Sequence, residues 1–313
     1  MKYCVTGCAG FVGSTLTDRL LADGHTVIGI DDFSTGHEVF LTAALANARF
    51  TLVRGDLRDP AVSVDAARGC DAIFHFAANA DVRHGTDHPT LDLHQNTFVT
   101  VNVLEAARLN GVRDVLFSST GSVYGEAAVI PTPEDAPMPV QTSLYGASKV
   151  AAEAFVQAYA EGFGIRGIVF RFVSLLGERY THGHVVDFYR QLREHPQTLH
   201  ILGDGKQRKS YLYVGDCIEA ILVALRAAPA KGGIYNLGTD EYCAVNDSVG
   251  WIGETLGVTP ERTYSGGERG WIGDNPFIFL DCTRIRALGW RPSMTIREAI
   301  VRTVEWLTEH DLA

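Results

Sequence analysis

A doubly wound α/β fold with a smaller C-terminal α/β lobe is predicted by three observations. Strand and helix patterns alternate through the first 180 residues, which is the rhythm of a parallel sheet with crossover helices. Three glycines, Gly7, Gly10 and Gly13, stand at Gly-x-x-Gly-x-x-Gly spacing between the first strand pattern and the first helix pattern. An acid, Asp31, ends the second strand pattern, 18 residues past Gly13.

The elements follow in order. β-rich runs at 3–5, 26–30, 50–53, 72–76, 114–117 and 167–171 predict six strands. Apolar residues at helical spacing predict helices over 14–22, 61–67, 91–109 and 144–162 between them. In the third helix Leu91, Val99, Val103, Leu104 and Ala107 form one apolar stripe. After residue 172 the rhythm changes. Helices are expected over 185–194, 217–227, 247–256 and 296–307, the second capped by Asp216. Strands are expected near 211–214 and 234–237, with a glycine-containing loop at 203–206. No internal repeat or low-complexity segment interrupts the chain. Residues 1–172 therefore read as a dinucleotide-binding domain to which 210–237 contributes. Residues 173–313 read mainly as a lobe that closes over a substrate.

Composition narrows the function. The 313 residues carry 27 Lys+Arg against 37 Asp+Glu, a formal charge of −10, and 46% are hydrophobic. That apolar content builds a core and excludes a disordered or collagen-like chain. An acidic chain without a Lys/Arg run is a poor nucleic-acid binder. The longest apolar runs, 72–78 and 221–225, fall far short of the ~18 residues of a membrane span, and no secretory leader is expected. Six cysteines without a Cys-x-x-Cys pair point to reduced thiols and a cytoplasmic location. An acidic protein that binds an anionic ligand must concentrate its positive groups locally.

The glycine loop supplies one such place. Gly7 permits a tight turn, Gly10 lets the backbone approach a pyrophosphate, and Gly13 lets the helix pack closely. The helix N-terminus, at Phe11 and Val12, offers unpaired N–H groups and a positive dipole. A glycine triplet alone also describes a flexible turn. Its place between strand and helix, with Asp31 after the second strand, makes it a dinucleotide fingerprint. Asp31 can bond ribose hydroxyls and repels a 2′-phosphate, and no Arg or Lys occurs from 31 to 48, so NAD is expected over NADP. Asp56-Leu57 can reach the adenine, or Asp56 can cap a turn. Ala77 and Ala78, small residues after Phe76, would let a cofactor lie close.

Tyr145 and Lys149 form Tyr-x-x-x-Lys, which shares one helix face. A phenol of pKa about 10 is a poor base at neutral pH. A nearby ammonium and a positive nicotinamide ring would stabilise the phenolate, and Lys149 can also hold the nicotinamide ribose. An amphipathic helix presents such a pair by chance as well. The run Ser118-Ser119-Thr120-Gly121-Ser122 falls at the carboxyl edge of the sheet, where open α/β folds bind ligands. Thr120 can orient a substrate hydroxyl there, although a plain strand-to-loop turn uses the same residue types.

Taken in order, these motifs resemble the extended short-chain dehydrogenase/reductases of the nucleotide-sugar epimerase/dehydratase family, and the resemblance covers essentially the whole chain. It includes Asp31-Asp32-Phe33-Ser34-Thr35-Gly36, Phe74-His75-Phe76-Ala77-Ala78, the segment from Leu202 to Val214, and Leu288-Gly289-Trp290-Arg291-Pro292. It implies a Rossmann fold, NAD as cofactor and a UDP-sugar as substrate. Cofactor contacts are expected at Gly7, Gly10, Phe11, Val12, Gly13, Asp31, Asp32, Ser34, Thr35, Gly36, Asp56, Leu57, Phe76, Ala77, Ala78, Asn96, Ser118, Tyr145 and Lys149. Substrate contacts are expected at Thr120, Ser122, Tyr145 and Ser174, with Arg208, Lys209 and Arg269 on the phosphates.

The residues after Thr120 discriminate within the family. Dehydratases of the family resemble Thr-Asp-Glu at this place, decarboxylases carry a Glu in the stretch, and 3,5-epimerising relatives a Cys. Here Gly121-Ser122 follows. Oxidation and reduction at one carbon remain, which implies inversion at C4 with Tyr145 as base, Thr120 as its partner and Lys149 as support. Two segments depart from the family. Ser174 stands where Asn is usual, and Glu178 to His184 replace a Pro-Arg run, with Thr181 or His182 at the Arg that uronate-specific members use. His182 and His184 have no Cys or carboxylate cluster beside them, so no metal is expected. A homodimer through the helices at 91–109 and 144–162 is implied by the resemblance. The competing readings are another nucleotide-sugar enzyme of the family, a 2-epimerase, decarboxylase or dehydrogenase, and a non-catalytic NAD-binding protein.

Overall fold

The computed structural model describes residues 1–82, 84–138, 140–267 and 277–310. Seven strands form one parallel sheet: β1 (Lys2–Thr6), β2 (Thr26–Asp31), β3 (Phe50–Arg54), β4 (Ala72–His75), β5 (Asp114–Thr120), β6 (Arg166–Phe172) and, at one edge, β11 (Gly232–Leu237). Their order is β11-β6-β5-β4-β1-β2-β3. Six short strands lie outside it: β7 (Ser174–Leu176), β8 (Thr198–Ile201), β9 (Arg208–Lys209), β10 (Tyr211–Tyr213), β12 (Cys243–Ala244) and β13 (Glu261–Tyr264). They pair as β7–β10, β8–β13 and β9–β12. The helices are α1 (Phe11–Ala22), α2 (Thr42–Leu45), α3 (Pro60–Ala66), α4 (His84–Asp87), α5 (Val99–Asn110), α6 (Leu144–Phe163), α7 (His184–Glu194), α8 (Val214–Ala227), α9 (Val245–Leu256), α10 (Thr283–Ala287) and α11 (Ile296–His310).

The near-continuous apolar strands are explained by burial on both faces. Along β4, β5 and β6, Phe74, Leu116, Ile168 and Phe170 pack to one side with Leu16 of α1 and Ile221 of α8. Their neighbours Ile73, Val115, Phe117 and Val169 pack to the other with Val103 and Leu104 of α5 and Val156 of α6. A third cluster belongs to the smaller lobe: Val186 and Tyr189 of α7, Ile201 of β8, Ile252 of α9, and Ile300 and Val304 of α11. The strand order reverses between β1 and β4, which opens a crevice at their carboxyl ends.

Three expectations change. Asp216 does not cap its helix, because α8 already begins at Val214. Its carboxylate instead accepts from the Ser293 amide at 2.9 Å and hydroxyl at 2.6 Å and the Met294 amide at 3.2 Å, tying α8 to the segment before α11. The long helix at 91–109 is not uniform: Leu93–Phe98 is wound as a π-helix before α5 begins. The short pairs of the smaller lobe lack any periodic run to announce them. Among the described residues, no helix is long and apolar enough to cross a membrane, and all six cysteines are buried free thiols.

Candidate active site

A cavity of about 570 Å³ runs along the crevice. Its first wall is the turn after β1. Gly7 has φ +68° and donates its amide to Ile30 O at 2.8 Å, bending the chain out of β1. No side chain caps α1, so its first N–H groups have no helical partner and are open to an anion at the cavity edge. A Cβ added at Gly13 would lie 2.0 Å from the Gly7 carbonyl oxygen. This cradle fits the phosphates of a dinucleotide.

Asp31 closes the far side. Its Oδ2 accepts from Ala9 N and its Oδ1 from Phe33 N, each at 2.8 Å. Each oxygen keeps a second acceptor site for a ribose hydroxyl. Asp32 holds the next turn through Ser34 N at 2.9 Å and Ser34 Oγ at 2.6 Å. Asp56 does both things expected of it: it lines the cavity, and its carboxylate accepts from the Arg58 amide at 2.8 Å. The Arg58 side chain, hydrogen-bonded to it, holds the Asp56 carboxyl below the usual range. The other nearby cation, Arg54, is paired with Glu38 at 2.6 Å. With both cations engaged, nothing offsets the repulsion between Asp31 and a 2′-phosphate. Asp31→Asn should weaken NAD roughly tenfold, the worth of one charge-assisted hydrogen bond, and narrow the preference for NAD over NADP. Isothermal titration with both cofactors measures this, and an unchanged NAD-to-NADP ratio contradicts it.

The reaction end is built on β5 and α6. Ser143 caps α6 by accepting from the Gly146 amide at 3.0 Å, which aims Tyr145 into the cavity from the first turn. Thr120 and Tyr145 face each other across the same end of the cavity. Ser122 N donates to Thr120 Oγ1 at 3.1 Å, and Thr120 donates to Ser122 Oγ at 3.2 Å. Lys149 is buried one turn on. Its Nζ donates to Ser118 O at 2.8 Å and stands 6.0 Å from the Tyr145 ring centroid. Burial drives the two ionisations in opposite directions. The phenol is pushed up to about 12, with Thr120 opposing and the Asp92 charge adding. The ammonium is pulled down to about 8, with Glu153 and Asp92 opposing. Among the protein groups burial outweighs the neighbouring ammonium at Tyr145, so the expected ionisation of the phenol leans on the nicotinamide ring as well.

Of the expected cofactor contacts, Gly7, Gly10, Phe11, Val12, Gly13, Asp31, Asp32, Ser34, Thr35, Gly36, Asp56, Leu57, Phe76, Ala77, Ala78 and Tyr145 line the cavity. Asn96, Ser118 and Lys149 stand behind that wall. Asn96 accepts from the Asn79 amide at 2.8 Å and donates to Ser148 at 2.9 Å, so it pins the π-turn to α6. Thr120, Ser122 and Ser174 line the substrate end. Arg208 and Lys209 do not line it. The Arg208 guanidinium lies over the Phe277 ring at 4.0 Å, and Lys209 pairs with Cys243 in the β9–β12 ladder. Arg269, with the Trp271 and Asp274 beside it, lies outside the described residues.

Sequence reasoning passed over several lining residues, among them Asn79, Asp81, Gln95, Ser119, Phe172 and Ile278. Only the extra residue per turn of a π-helix could have flagged Gln95. Thr181 and His182 reach the cavity, and Tyr180 packs edge-on against Phe11 at 5.6 Å, bringing the loop onto the glycine turn. His184 does not reach it. The ring is buried between the Tyr211 hydroxyl at 2.6 Å and Ser248 at 3.0 Å, and burial pulls it down to about 3. Among the described residues no group of three His, Cys, Asp or Glu could hold a metal.

Known proteins share this arrangement. Residues 3–238 match the NAD dependent epimerase/dehydratase family. The chain is 37% identical to the UDP-glucose 4-epimerase of Mycolicibacterium smegmatis, over 98% of both chains. It superposes on a crystal structure of UDP-galactose 4-epimerase with a TM-score of 0.88 and 39% identity, covering 99% of both. A double mutant of dTDP-glucose 4,6-dehydratase from Streptomyces venezuelae, solved with NAD, gives a TM-score of 0.91 at 28% identity, covering 99% of this chain and 98% of that one. Backbone likeness thus spans more than one reaction, and the residues at the reaction end must decide between them. By sequence, fold and the cofactor cradle together, the chain belongs to the NAD-dependent epimerase/dehydratase family.

Proposed function

We propose that the protein inverts C4 of a UDP-sugar of the glucose/galactose type through a transient 4-keto sugar. One observation carries this reading. The reaction end holds Tyr145 and Thr120 together on the cavity wall, and the residues next to Thr120, Gly121 and Ser122, bring no carboxylate. Elimination of water needs an acid and a base there. Inversion at one carbon needs a group that takes the C4 hydroxyl proton and gives it back. NAD, when bound, supplies the hydride acceptor and donor. Tyr145 takes the proton, Thr120 orients the same hydroxyl, and the Lys149 ammonium behind the ring favours the phenolate.

The sugar is read as uncharged. The acids lining the cavity are Asp31, Asp32, Asp56 and Asp81, and the one lining cation among the described residues, Arg58, is paired with Asp56 at 2.6 Å. A uronate carboxylate finds no free partner among them. Arg208 and Lys209 stand off the cavity wall, but Tyr211, two residues past Lys209, pairs with Ser174 on that wall; in this reading β9 must close inward to hold the diphosphate together with Arg269. The exposed Phe98 of the π-turn, Leu109 of α5, and Phe155 and Phe163 of α6 support a homodimer through these helices, and the buried free thiols support a cytoplasmic site of action.

The deciding experiment supplies NAD and, separately, UDP-glucose, UDP-galactose, their N-acetyl forms and UDP-glucuronate, with products resolved by chromatography. Interconversion of the C4 pair without net NADH is expected. Accumulating NADH would identify a dehydrogenase, release of carbon dioxide a decarboxylase, and retained NAD with no conversion a binding protein.

A further inference from the structure

Behind the cavity wall lies a buried ion pair that this chemistry has not yet used. Arg171 of β6 and Glu153 of α6 are 1% and 2% exposed. The Arg171 Nε donates to both carboxylate oxygens, at 3.0 and 3.2 Å, and its Nη2 donates at 2.6 Å. Its Nη1 donates to the Tyr124 hydroxyl at 2.7 Å and to Glu134 O at 3.0 Å, and Tyr124 donates in turn to Asn236 at 2.8 Å. Two opposite charges taken out of water gain little over apolar packing. Such a pair is better understood by what it holds.

Glu153 holds two things. The Ser119 hydroxyl donates to its Oε1, and Ser119 lines the cavity next to Thr120. Lys149 lies four residues before it on α6, on the same helix face. Every other group around the Lys149 amine is accounted for. β5 offers the Ser118 carbonyl at 2.8 Å and the Phe117 ring at 4.8 Å. β4 offers His75, kept neutral by burial. The segment before the π-turn offers Asp92, and α6 itself offers Tyr145. Burial works against the ammonium, and the foremost charge opposing it is Glu153.

We propose that Glu153 is a positioning residue for the reaction: clamped by Arg171, it fixes Ser119 beside Thr120 and keeps Lys149 charged behind Tyr145. The proposal rests on the reading of Tyr145 and Lys149 as the reacting pair. Without the Glu153 charge the buried amine keeps only the Ser118 carbonyl, the Phe117 ring and the Asp92 charge against burial, so it loses its proton at a lower pH and helps the phenol less.

The chain has five lysines, so 13C-lysine NMR of the NAD-saturated protein resolves each amine, with Lys149→Arg assigning one signal. Its titration midpoint should fall by about one pH unit in Glu153→Gln and return towards wild type in Glu153→Asp. Glu153→Gln leaves Arg171 buried without a counter-charge. The double variant Glu153→Gln/Arg171→Met removes both charges and should show a smaller fall in the same direction. In each variant lacking the carboxylate, kcat at pH 8 should drop while KM holds, by about fivefold where a one-unit fall takes the amine from half charged to about a tenth charged. A midpoint within about 0.2 units of wild type in whichever variant folds overturns the proposal, as does a fallen midpoint with unchanged kcat. The titration needs no substrate. If the UDP-sugar reading failed, wild type would convert none of those sugars while the Lys149 midpoint still gave its answer.

Discussion

Tyr145→Phe should lose turnover by about 10²–10⁴-fold, the usual worth of a positioned general base, while NAD binding stays near wild type. The ring remains in place at the start of α6, under the Ser143 cap. Only the hydroxyl disappears. The cofactor cradle lies on β1, α1 and β2 and is untouched by the change. Turnover by coupled assay and NAD content by chromatography of the denatured protein check the two halves separately. Turnover within a few-fold of wild type would remove Tyr145 from the chemistry. Wild type should also show a pH profile with a definite sign. The phenol sits high, so activity climbs as pH rises towards its ionisation. The ammonium is pulled down to about 8, so above that pH the climb levels off, because each gain in phenolate is offset by an equal loss of the Lys149 charge.

Gly13→Ala should be at least as damaging, by a different route. The added Cβ would lie 2.0 Å from the Gly7 carbonyl oxygen and 2.8 Å from its carbon. Both are backbone atoms in the turn that the Ile30 carbonyl holds, so neither can swing aside as a side-chain end would. The helix must shift off the turn, at a cost of about 1–3 kcal/mol or more, and the N–H groups lose their aim. NAD affinity should drop more than about a hundredfold, with a lower melting temperature in calorimetry. Gly10→Ala is the control for the cause. Its Cβ would meet only the Gly7 oxygen, at 3.3 Å, so stability should hold while binding falls. Equal melting temperatures for Gly13→Ala and wild type would show that the close approach is not what Gly13 provides.

The parts of the site that could be read in advance share a physical character. The glycine turn, Asp31 and the Tyr145–Lys149 spacing work through local geometry, and each lies within one strand, turn or helix. The parts that could not be read join distant segments. Tyr124 meets Asn236 across 112 residues and Arg171 meets Glu153 across 18. Asp216 caps nothing and instead anchors residues 77 and 78 positions later. Asn96 and Lys149 belong to motifs of cofactor contact, yet they stand behind the lining and hold it in shape. The π-turn escaped because apolar spacing records which face is buried and not how tightly the backbone is wound.

The sheet, its double winding, the glycine turn and NAD as cofactor followed from the sequence alone, because alternation, glycine spacing and one carboxylate act within a few residues of themselves. A chain of charge −10 needs a local positive site for an anionic cofactor, and a helix N-terminus without a side-chain cap can provide one. Tertiary structure alone decided the charges on Tyr145 and Lys149. Their ionisation depends on how much water packing removes and on which carboxylates it brings near, and neither is written in the order of residues.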